Sequence, residues 1–330
     1  MSTQPDSFVW QTGRSRRAVM LVCDQAFLPY ASFVAWQVAI HSGARDFDIV
    51  IVSYDKLELP PILQSLGVTS RQVERDPRLD VFPPHKLPSV AYLVLQLPEI
   101  FRSEYDRILY LDSDLFFEGG DLSALLGLDL KGAPVAAVRD VGVFYDPQEH
   151  AQEFKLLGLP PTPYINTGVV LVDTAKWSEL NILHQAVELA SQRPDLFVFH
   201  DQSILNAVLK GNIAELHPGW NWQPNIRLAA VSQHQPVMFR HFITPQKPFR
   251  PTGDRHDHRF WAAYRNFFQA YAPDWLSLLP ARQKAAPAFD AIEAFRRYWD
   301  QKRTRKTVNA YLARFADEWT VIRWRPVGEV

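Results

Sequence analysis

The sequence contains one cysteine and three methionines among its 330 residues. A single cysteine excludes an intramolecular disulfide framework. Cys23 lies inside an apolar segment, and we interpret it as a small core residue. The formal net charge is only −1, which argues against nucleic-acid binding by the chain as a whole, because nucleic-acid-binding domains are strongly basic.

Long hydrophobic runs are also missing. The apolar segment 18–23 is too short for the core of a signal peptide and ends at Asp24. Residues 26–40 are mostly apolar, but proline, serine and glutamine interrupt them, so we interpret this stretch as a core-facing helix and not as a membrane span. We therefore expect a cytoplasmic protein.

Glycine is scarce, with 14 residues in all, and no glycine-rich loop follows the first predicted strand. A nucleotidyltransferase would need such a loop there, so that backbone N–H groups could surround phosphate. The segment Cys23-Asp24-Gln25-Ala26 does not meet that requirement, which argues against this class of enzyme.

Strand and helix patterns alternate through the first half of the chain. Apolar residues make up 47% and charged residues 22%, which is typical of a globular protein. The patterns predict strands at 18–23, 47–53, 108–111, 135–138, 165–172 and 237–239. They predict helices at 29–42, 60–66, 89–97 and 203–209. This order predicts an α/β fold with a mainly parallel sheet and helices on both faces.

The most informative segment is 107–118, in which an apolar run from Ile108 to Leu111 ends at Asp112 and Asp114. Alternate side chains of an extended segment point the same way, so both carboxylates face one side. Carboxylates held this close repel each other unless a cation lies between them. We therefore predict a divalent metal site at the carboxyl end of a strand, where open α/β sheets bind ligands. Solvated acids in a strand-end turn are the alternative.

Three later segments carry polar groups that suit a ligand. Asn166 offers a donor and an acceptor to a hydroxyl-rich ligand, although Asn-Thr-Gly is also ordinary turn chemistry. Asp201 and Gln202 stand at a predicted helix start, where an aspartate is also a common N-cap. His241 could complete a metal site and Lys247 could contact phosphate, although a histidine after a strand often serves a polar network.

In this order the segments resemble the family-eight retaining glycosyltransferases, which include glycogenin and the bacterial lipooligosaccharide galactosyltransferases. The matching words are Tyr-Leu-Asp-Ser-Asp at 110–114, Tyr-Ile-Asn-Thr-Gly-Val at 164–169, Asp-Gln-Ser-Ile-Leu-Asn at 201–206, Trp-Asn-Trp at 220–222, and His-Phe with Lys-Pro at 241–248. The likeness runs from about residue 18 to residue 251. It implies a Rossmann-like fold of the GT-A type that binds a nucleotide sugar.

The resemblance also implies a role for each polar group. The implied metal ligands are Asp112, Asp114 and His241, a set that suits Mn²⁺ better than Mg²⁺, though either ion is compatible. The implied contacts to the nucleotide sugar are Asp24 at the uracil, Asp112 and Ser113, Asn166 near the donor sugar, and Lys247 at the diphosphate. The implied groups around the reacting carbon and the acceptor are Gln202, Asp201 and Asp140.

Three residues depart from the family pattern. Val94 stands where an arginine or lysine is usual, Ser203 where an acid is common, and Thr244 where a glycine is common. These differences bear on the identity of the donor sugar more than on the class of reaction. Because of Val94, a non-catalytic sugar- or protein-binding relative stays open as an alternative, beside the nucleotidyltransferase.

We therefore expect metal-dependent, retaining transfer of a hexose from a UDP-sugar to a glycan or a lipid-linked sugar. Gln202 lacks the charge of a good nucleophile, which favours front-face attack by the acceptor over a covalent glycosyl-enzyme. Trp220 and Trp222 are candidates for an acceptor stacking platform, with buried packing as the alternative.

The pattern changes near residue 272. Amphipathic helices are predicted at 289–303 and 307–315, before a basic and aromatic tail, and residues 281–330 hold 11 Lys/Arg against 6 Asp/Glu. We expect a polar segment 1–17, a catalytic domain 18–272 and a helical extension 273–330. The extension is interpreted as a cap packed on the domain, and peripheral contact with an anionic membrane is the alternative.

Overall fold

The computed structural model describes residues 16–82, 89–144, 151–196, 199–223, 235–251, 256–281 and 291–325. Its strands are Arg17–Val22 (β1), Asp48–Ser53 (β2), Val68–Gln72 (β3), Arg107–Leu111 (β4), Leu115–Phe117 (β5), Val135–Arg139 (β6), Ile165–Asp173 (β7), Ala214–Glu215 (β8), Phe239–His241 (β9) and Ile322–Arg323 (β10). Its helices are Leu28–His41 (α1), Pro61–Ser65 (α2), Leu93–Phe101 (α3), Leu122–Leu126 (α4), Val141–Phe144 (α5), Gln152–Leu156 (α6), Thr174–Glu179 (α7), Ile182–Gln192 (α8), His200–Leu209 (α9), His258–Tyr271 (α10) and Ala291–Leu312 (α11).

The main sheet has the strand order β10-β8-β6-β7-β4-β1-β2-β3. Strand β1 pairs in parallel with β2 and β4, β2 pairs in parallel with β3, and β6 pairs in parallel with β8. Strand β7 runs antiparallel to both β4 and β6, and β10 runs antiparallel to β8. The predicted α/β class is confirmed, and β7 is the strand that breaks the parallel order in the middle of the sheet.

Helices cover both faces of this sheet. Val19 and Leu21 of β1 belong to one buried cluster, together with Val34 of α1. Met20 of the same strand belongs to the opposite cluster, together with Leu97 of α3. Successive side chains of a strand face opposite sides, and a sheet that is buried on both sides therefore needs the nearly unbroken apolar strands that the sequence shows.

A second sheet, formed by β5 and β9, lies next to the main one. The two strands are antiparallel, and Leu115 is the register partner of His241. An aromatic cluster packs beside this sheet, where Phe33 of α1 and Tyr264 of α10 have ring centroids 4.0 Å apart. Because Asp114 directly precedes β5 and His241 ends β9, this pairing brings the two residues together.

The C-terminal region packs on the domain. Val308 and Tyr311 of α11 share a small buried cluster with Val141 and Trp222. The two separate helices predicted here form one helix over residues 291–312, so that prediction was wrong; neither glycine nor proline occurs there to end a helix. No helix in the described part of the chain is long and apolar enough to cross a bilayer.

Candidate active site

One edge of the main sheet collects the predicted polar residues. Asp112 follows the carboxyl end of β4, and Asp140 follows the carboxyl end of β6. Strand β7 runs the other way, so its beginning lies at this edge and places Asn166 between them. Antiparallel β7 is thus the reason that residues from three separate segments meet.

Asp112, Asp114 and His241 form the group that the sequence predicted as metal ligands. One ligand atom from each residue lies within 4.8 Å of the others. His241 Nε2 is 3.4 Å from Asp112 Oδ2 and 3.1 Å from Asp114 Oδ1. Asp114 Oδ1 is buried and has no hydrogen-bond partner within the described ranges. A buried carboxylate oxygen without a hydrogen bond costs stability, and a cation would satisfy it, so the residues fit a divalent metal.

The His241 ring is held in the orientation that a metal needs. Its Nδ1 atom lies 3.1 Å from Asn166 Oδ1 and 3.0 Å from Asn221 Oδ1. Both neighbours are acceptors, so Nδ1 carries a proton, and Nε2 faces the two carboxylates, where it would lose its proton and act as a ligand when a metal ion binds. Hydrogen bonds of this kind to the second nitrogen are common for histidines that bind metals. Sequence reasoning missed Asn221, although it lies in the Trp-Asn-Trp word.

The electrostatics of this group are those of a crowded anionic site. Burial lowers the pKa of His241, but the adjacent Asp114 and Asp112 outweigh burial and raise it to about 9. Burial acts to raise the pKa of Asp114, yet His241 and Lys247 hold it well below its usual range. Lys247 Nζ contacts Asp114 and also donates to the backbone carbonyl of Phe242 at 2.5 Å. The site therefore attracts positive charge.

A cavity of about 270 Å³ opens beside the metal group. Its polar lining includes Asp24, Asp112, Ser113, Asp114 and Lys247. Its apolar lining includes Val22, Phe27, Val90 and Ala91. The Asp24 side chain also accepts a hydrogen bond from Phe27 N at 2.9 Å, which fixes it at the start of α1. Four of the five residues predicted to contact the nucleotide sugar thus face one cavity; the fifth, Asn166, lies against His241.

Asp140, Asn166 and Gln202 form a triangle of side chains. Asn166 Nδ2 donates to Gln202 Oε1 at 3.0 Å and to Asp140 Oδ2 at 3.3 Å. Gln202 Nε2 donates to the same Asp140 oxygen at 3.2 Å. Since Gln202 Oε1 also accepts from Thr167 N at 3.3 Å, its amide is fixed in orientation. This polar triangle adjoins the metal group through Asn166.

Asp201 lies in the first turn of α9, beside Gln202. The residue at the N-cap position is Phe199, so the reading of Asp201 as an N-cap is wrong. Asp201 Oδ2 accepts from Thr167 Oγ1 at 3.0 Å. Burial, with the charge of Asp112, raises the pKa of Asp201 to about 7. Perturbed carboxylates of this kind are typical of functional sites.

Two aromatic residues do not reach the site surface. Trp220 is fully buried and donates through Nε1 to the Glu318 carbonyl at 2.8 Å. Trp222 is buried against Val308. The stacking platform is therefore wrong and the alternative of buried packing is confirmed. The sequence left both open because the same aromatic residue types serve core packing and ligand stacking.

Val94 and Tyr110 complete the neighbourhood. Val94 lies on α3 and is buried in an apolar cluster, where a charged side chain would be desolvated. Tyr110 donates through its hydroxyl to Asp112 Oδ1 at 2.6 Å and thereby orients that carboxylate. Tyr110 lies two residues before Asp112, and alternate residues of a strand face the same side, so the sequence pattern alone could have indicated this contact.

Comparison with known proteins places this chain in a family. The sequence profile of glycosyl transferase family 8 matches residues 18–252. The glycosyltransferase GlyF of Streptococcus pneumoniae is 29% identical over 267 residues, which cover 76% of this chain and 62% of that protein. The lipopolysaccharide 1,2-glucosyltransferase of Escherichia coli is 36% identical over 107 residues, which cover 32% of this chain and 30% of that protein. The chain thus spans less than two thirds of either relative.

Solved structures show the same fold. The galactosyltransferase LgtC, in complex with donor and acceptor sugar analogues, superposes with a TM-score of 0.64 at 20% identity over 80% of this chain and 100% of that chain. The glycosyltransferase GlyE of Streptococcus pneumoniae superposes with a TM-score of 0.54 at 21% identity over 81% of this chain and 66% of that chain. The expected GT-A fold is therefore confirmed. Together with the profile match over most of its length, this shows that the chain belongs to glycosyl transferase family 8.

Proposed function

We propose that this protein is a metal-dependent, retaining glycosyltransferase that transfers a hexose from a UDP-sugar to a glycan or a lipid-linked sugar. One observation carries the proposal. Asp112 and Asp114, which form the metal group with His241, line the same cavity as Asp24 and Lys247. Metal ligands and a lysine beside an apolar pocket match the diphosphate and the base of a nucleotide sugar.

The cavity supplies complementary surfaces for a nucleoside diphosphate. Phe27, Val90 and Ala91 offer apolar surface to the flat base, and Asp24 offers an acceptor to its N–H group. Lys247 is the cation of the cavity lining, and its ammonium group lies beside Asp114. It would stabilise negative charge on the diphosphate oxygens as the bond to the sugar breaks.

Asp112, Asp114 and His241 would hold the divalent cation. The ion, Mn²⁺ or Mg²⁺, would supply Lewis-acid stabilisation of the UDP leaving group. Asn166 and Asn221 accept from Nδ1 of His241, which would leave Nε2 to coordinate the ion. Tyr110 restrains Asp112 in the same way, so the protein contributes a preorganised ligand set.

The polar triangle would surround the donor sugar. The acceptor hydroxyl oxygen bonds to the anomeric carbon on the face from which UDP departs, and its proton passes to the departing UDP oxygen. Gln202 Oε1 lies beside the reacting carbon as a dipole that stabilises developing positive charge. It is neutral and already accepts hydrogen bonds from Asn166 and Thr167, which makes it a poor nucleophile. Asp140, which accepts hydrogen bonds from Asn166 and Gln202, adds negative charge to the triangle, and Asp201 accepts a hydrogen bond from the neighbouring Thr167.

The acceptor is proposed from the chemistry of the relatives. One of them is named as a lipopolysaccharide glucosyltransferase, which favours a sugar acceptor attached to a larger glycan or lipid.

The outer face of α11 is the proposed membrane contact. Tyr298 and Trp299 are exposed there, and Lys302, Arg305 and Lys306 are exposed on the same helix.

A thermal-shift screen of nucleotide sugars with Mn²⁺ tests this function. Ligand at about 100 times its dissociation constant should stabilise the protein by roughly 2.7 kcal/mol. UDP-hexoses and UDP should raise the melting temperature, and GDP-hexoses and GDP should raise it much less. Equal shifts in melting temperature for the uridine and guanosine nucleotides would reject the proposal that Asp24 contacts the uracil base.

A further inference from the structure

Glu153 is a carboxylate buried inside the domain, on the short helix α6. Its Oε1 atom accepts hydrogen bonds from the Tyr164 hydroxyl at 2.9 Å and from the Ser203 hydroxyl. Both partners are neutral, and Glu153 forms no ion pair within the described part of the chain. A buried carboxylate without a cation destabilises a fold, so packing alone gives no reason for an acid at this position.

The first partner connects Glu153 to Asn166 and Asp140. Tyr164 lies directly before β7, two residues from Asn166. Its backbone carbonyl accepts a hydrogen bond from Asp140 N at 2.9 Å. A displacement of the Tyr164 side chain would therefore move two corners of the polar triangle together.

The second partner connects Glu153 to Gln202. Ser203 is the next residue on α9, and its hydroxyl oxygen also accepts from Phe199 N at 2.6 Å. This bond fixes the start of α9, whose first residue, His200, has a φ of 55° in the left-handed region. Such a conformation costs energy for a residue other than glycine and persists only where surrounding contacts impose it.

We propose that Glu153 is a positioning residue that holds Gln202 in register with Asn166 and Asp140. The inference rests on the proposed function, and it adds to that function a buried connection between the two segments that surround the reacting carbon. The hydrogen bonds of the triangle measure 3.0 to 3.3 Å. A shift of about 1 Å in one corner would break them, and misplacement on that scale lowers turnover by about 100-fold.

The test compares three variants in the full-length protein with Mn²⁺. Glu153→Leu removes both acceptor contacts at similar size. Glu153→Gln keeps an oxygen for both hydroxyls and serves as the conservative rescue. Val38→Ala truncates a buried side chain of α1. The apolar cluster around Val38 contains none of the three triangle residues, so this variant is the control for lost stability alone. Each protein is measured for its melting temperature, its affinity for UDP by calorimetry, and kcat and KM with the UDP-hexose that the wild type uses best.

Glu153→Leu should lower kcat by about 100-fold while the UDP affinity changes by less than about threefold, because the nucleotide cavity lies on other elements. Glu153→Gln should keep kcat within about tenfold of the wild type. Val38→Ala should melt at a lower temperature and keep its kcat. A folded Glu153→Leu protein with the kcat of the wild type would overturn the inference, as would equal losses in kcat and in UDP affinity.

Two further results separate the alternatives. If Glu153→Leu does not fold, Ser203→Ala removes the same connection at lower cost, and an unchanged kcat in that variant overturns the inference. Because the two residues act through one connection, the double variant should lose no more kcat than Glu153→Leu alone, and multiplied losses would contradict this. A wild type that neither binds UDP nor turns over any UDP-hexose would refute the proposed function itself, and the inference with it.

Discussion

Gly168 lies so close to His241 that a side chain at position 168 is impossible without moving the imidazole. A β-carbon placed on Gly168 would come 2.1 Å from His241 Cε1, 2.5 Å from His241 Nδ1 and 2.9 Å from Asp112 Oδ2. The Gly168 carbonyl also accepts from Asp112 N at 2.9 Å. The glycine of the Asn-Thr-Gly segment thus allows two of the three metal ligands to approach each other across β7.

The first prediction follows from that contact. Gly168→Ala should displace His241 and weaken Mn²⁺ binding by at least about tenfold, the scale seen when groups that orient metal ligands are changed. Calorimetric titration of Mn²⁺ measures this directly. Gly127→Ala is the matched control, because the nearest atoms to its β-carbon lie at an ordinary 3.4 Å. Equal Mn²⁺ affinities in both variants would contradict the role of the glycine.

The second prediction concerns the diphosphate. Lys247→Ala should weaken UDP binding by about 10-fold to 100-fold, the effect of losing a hydrogen bond to a charged group, and should change uridine binding far less. Calorimetry with each ligand distinguishes the two. Lys176→Ala removes a lysine that pairs with Glu179 on the surface and serves as the control. A matching loss for UDP and uridine would reject the phosphate role.

The third prediction concerns stereochemistry. The product formed from an α-linked UDP-sugar should also be α-linked, as the small coupling constant of its anomeric proton will report. Gln202→Ala should lower kcat and leave the protein folded, because it removes the dipole that we propose to lie beside the reacting carbon. A β-linked product would overturn the retaining mechanism.

The fourth prediction concerns the C-terminal region. Truncation after Pro280 removes the apolar contacts of Val308 and Tyr311 and the pairing of β10 with β8. The melting temperature should fall by at least about 2 °C, as expected for a loss of more than about 1 kcal/mol from a domain of this size. An unchanged melting temperature in scanning calorimetry would show that these contacts contribute nothing to stability.

The exposed part of α11 provides the comparison for the membrane contact. Trp299→Ser changes a half-exposed side chain and should leave melting unchanged. If α11 binds anionic membranes, the variant should sediment less than the wild type with phosphatidylserine vesicles at low salt. If the wild type does not sediment with such vesicles, the proposed membrane contact is wrong.

Local pattern was enough to predict the framework of the site. Asp112 and Asp114 were found because strand β4 is an apolar run that stops at acids, and that signal lies within a few neighbouring residues. The order of strands and helices likewise predicted the α/β class. His241 and Lys247 were assigned through a family resemblance, since a single histidine or lysine carries little local information.

The remaining contacts join residues that are far apart in the chain. Asn221 reaches Asn166 across 55 positions, and Ser203 reaches Glu153 across 50 positions. Nothing near Glu153 in the sequence distinguishes it from a surface acid, because the distinction comes from burial that only the fold creates. The aromatic character of Trp220 and Trp222 was equally ambiguous until their burial was known.

The most direct test of the central claim is UDP release from a UDP-hexose and a sugar acceptor, measured with Mn²⁺ and then with EDTA in excess. Wild-type protein should release UDP only with the metal, and Asp114→Asn should fold normally and release it at least about 100-fold more slowly, the scale of losing a few kcal/mol of charge stabilisation. Undiminished release in EDTA, or a fully active Asp114→Asn protein, would contradict metal-dependent transfer at this site.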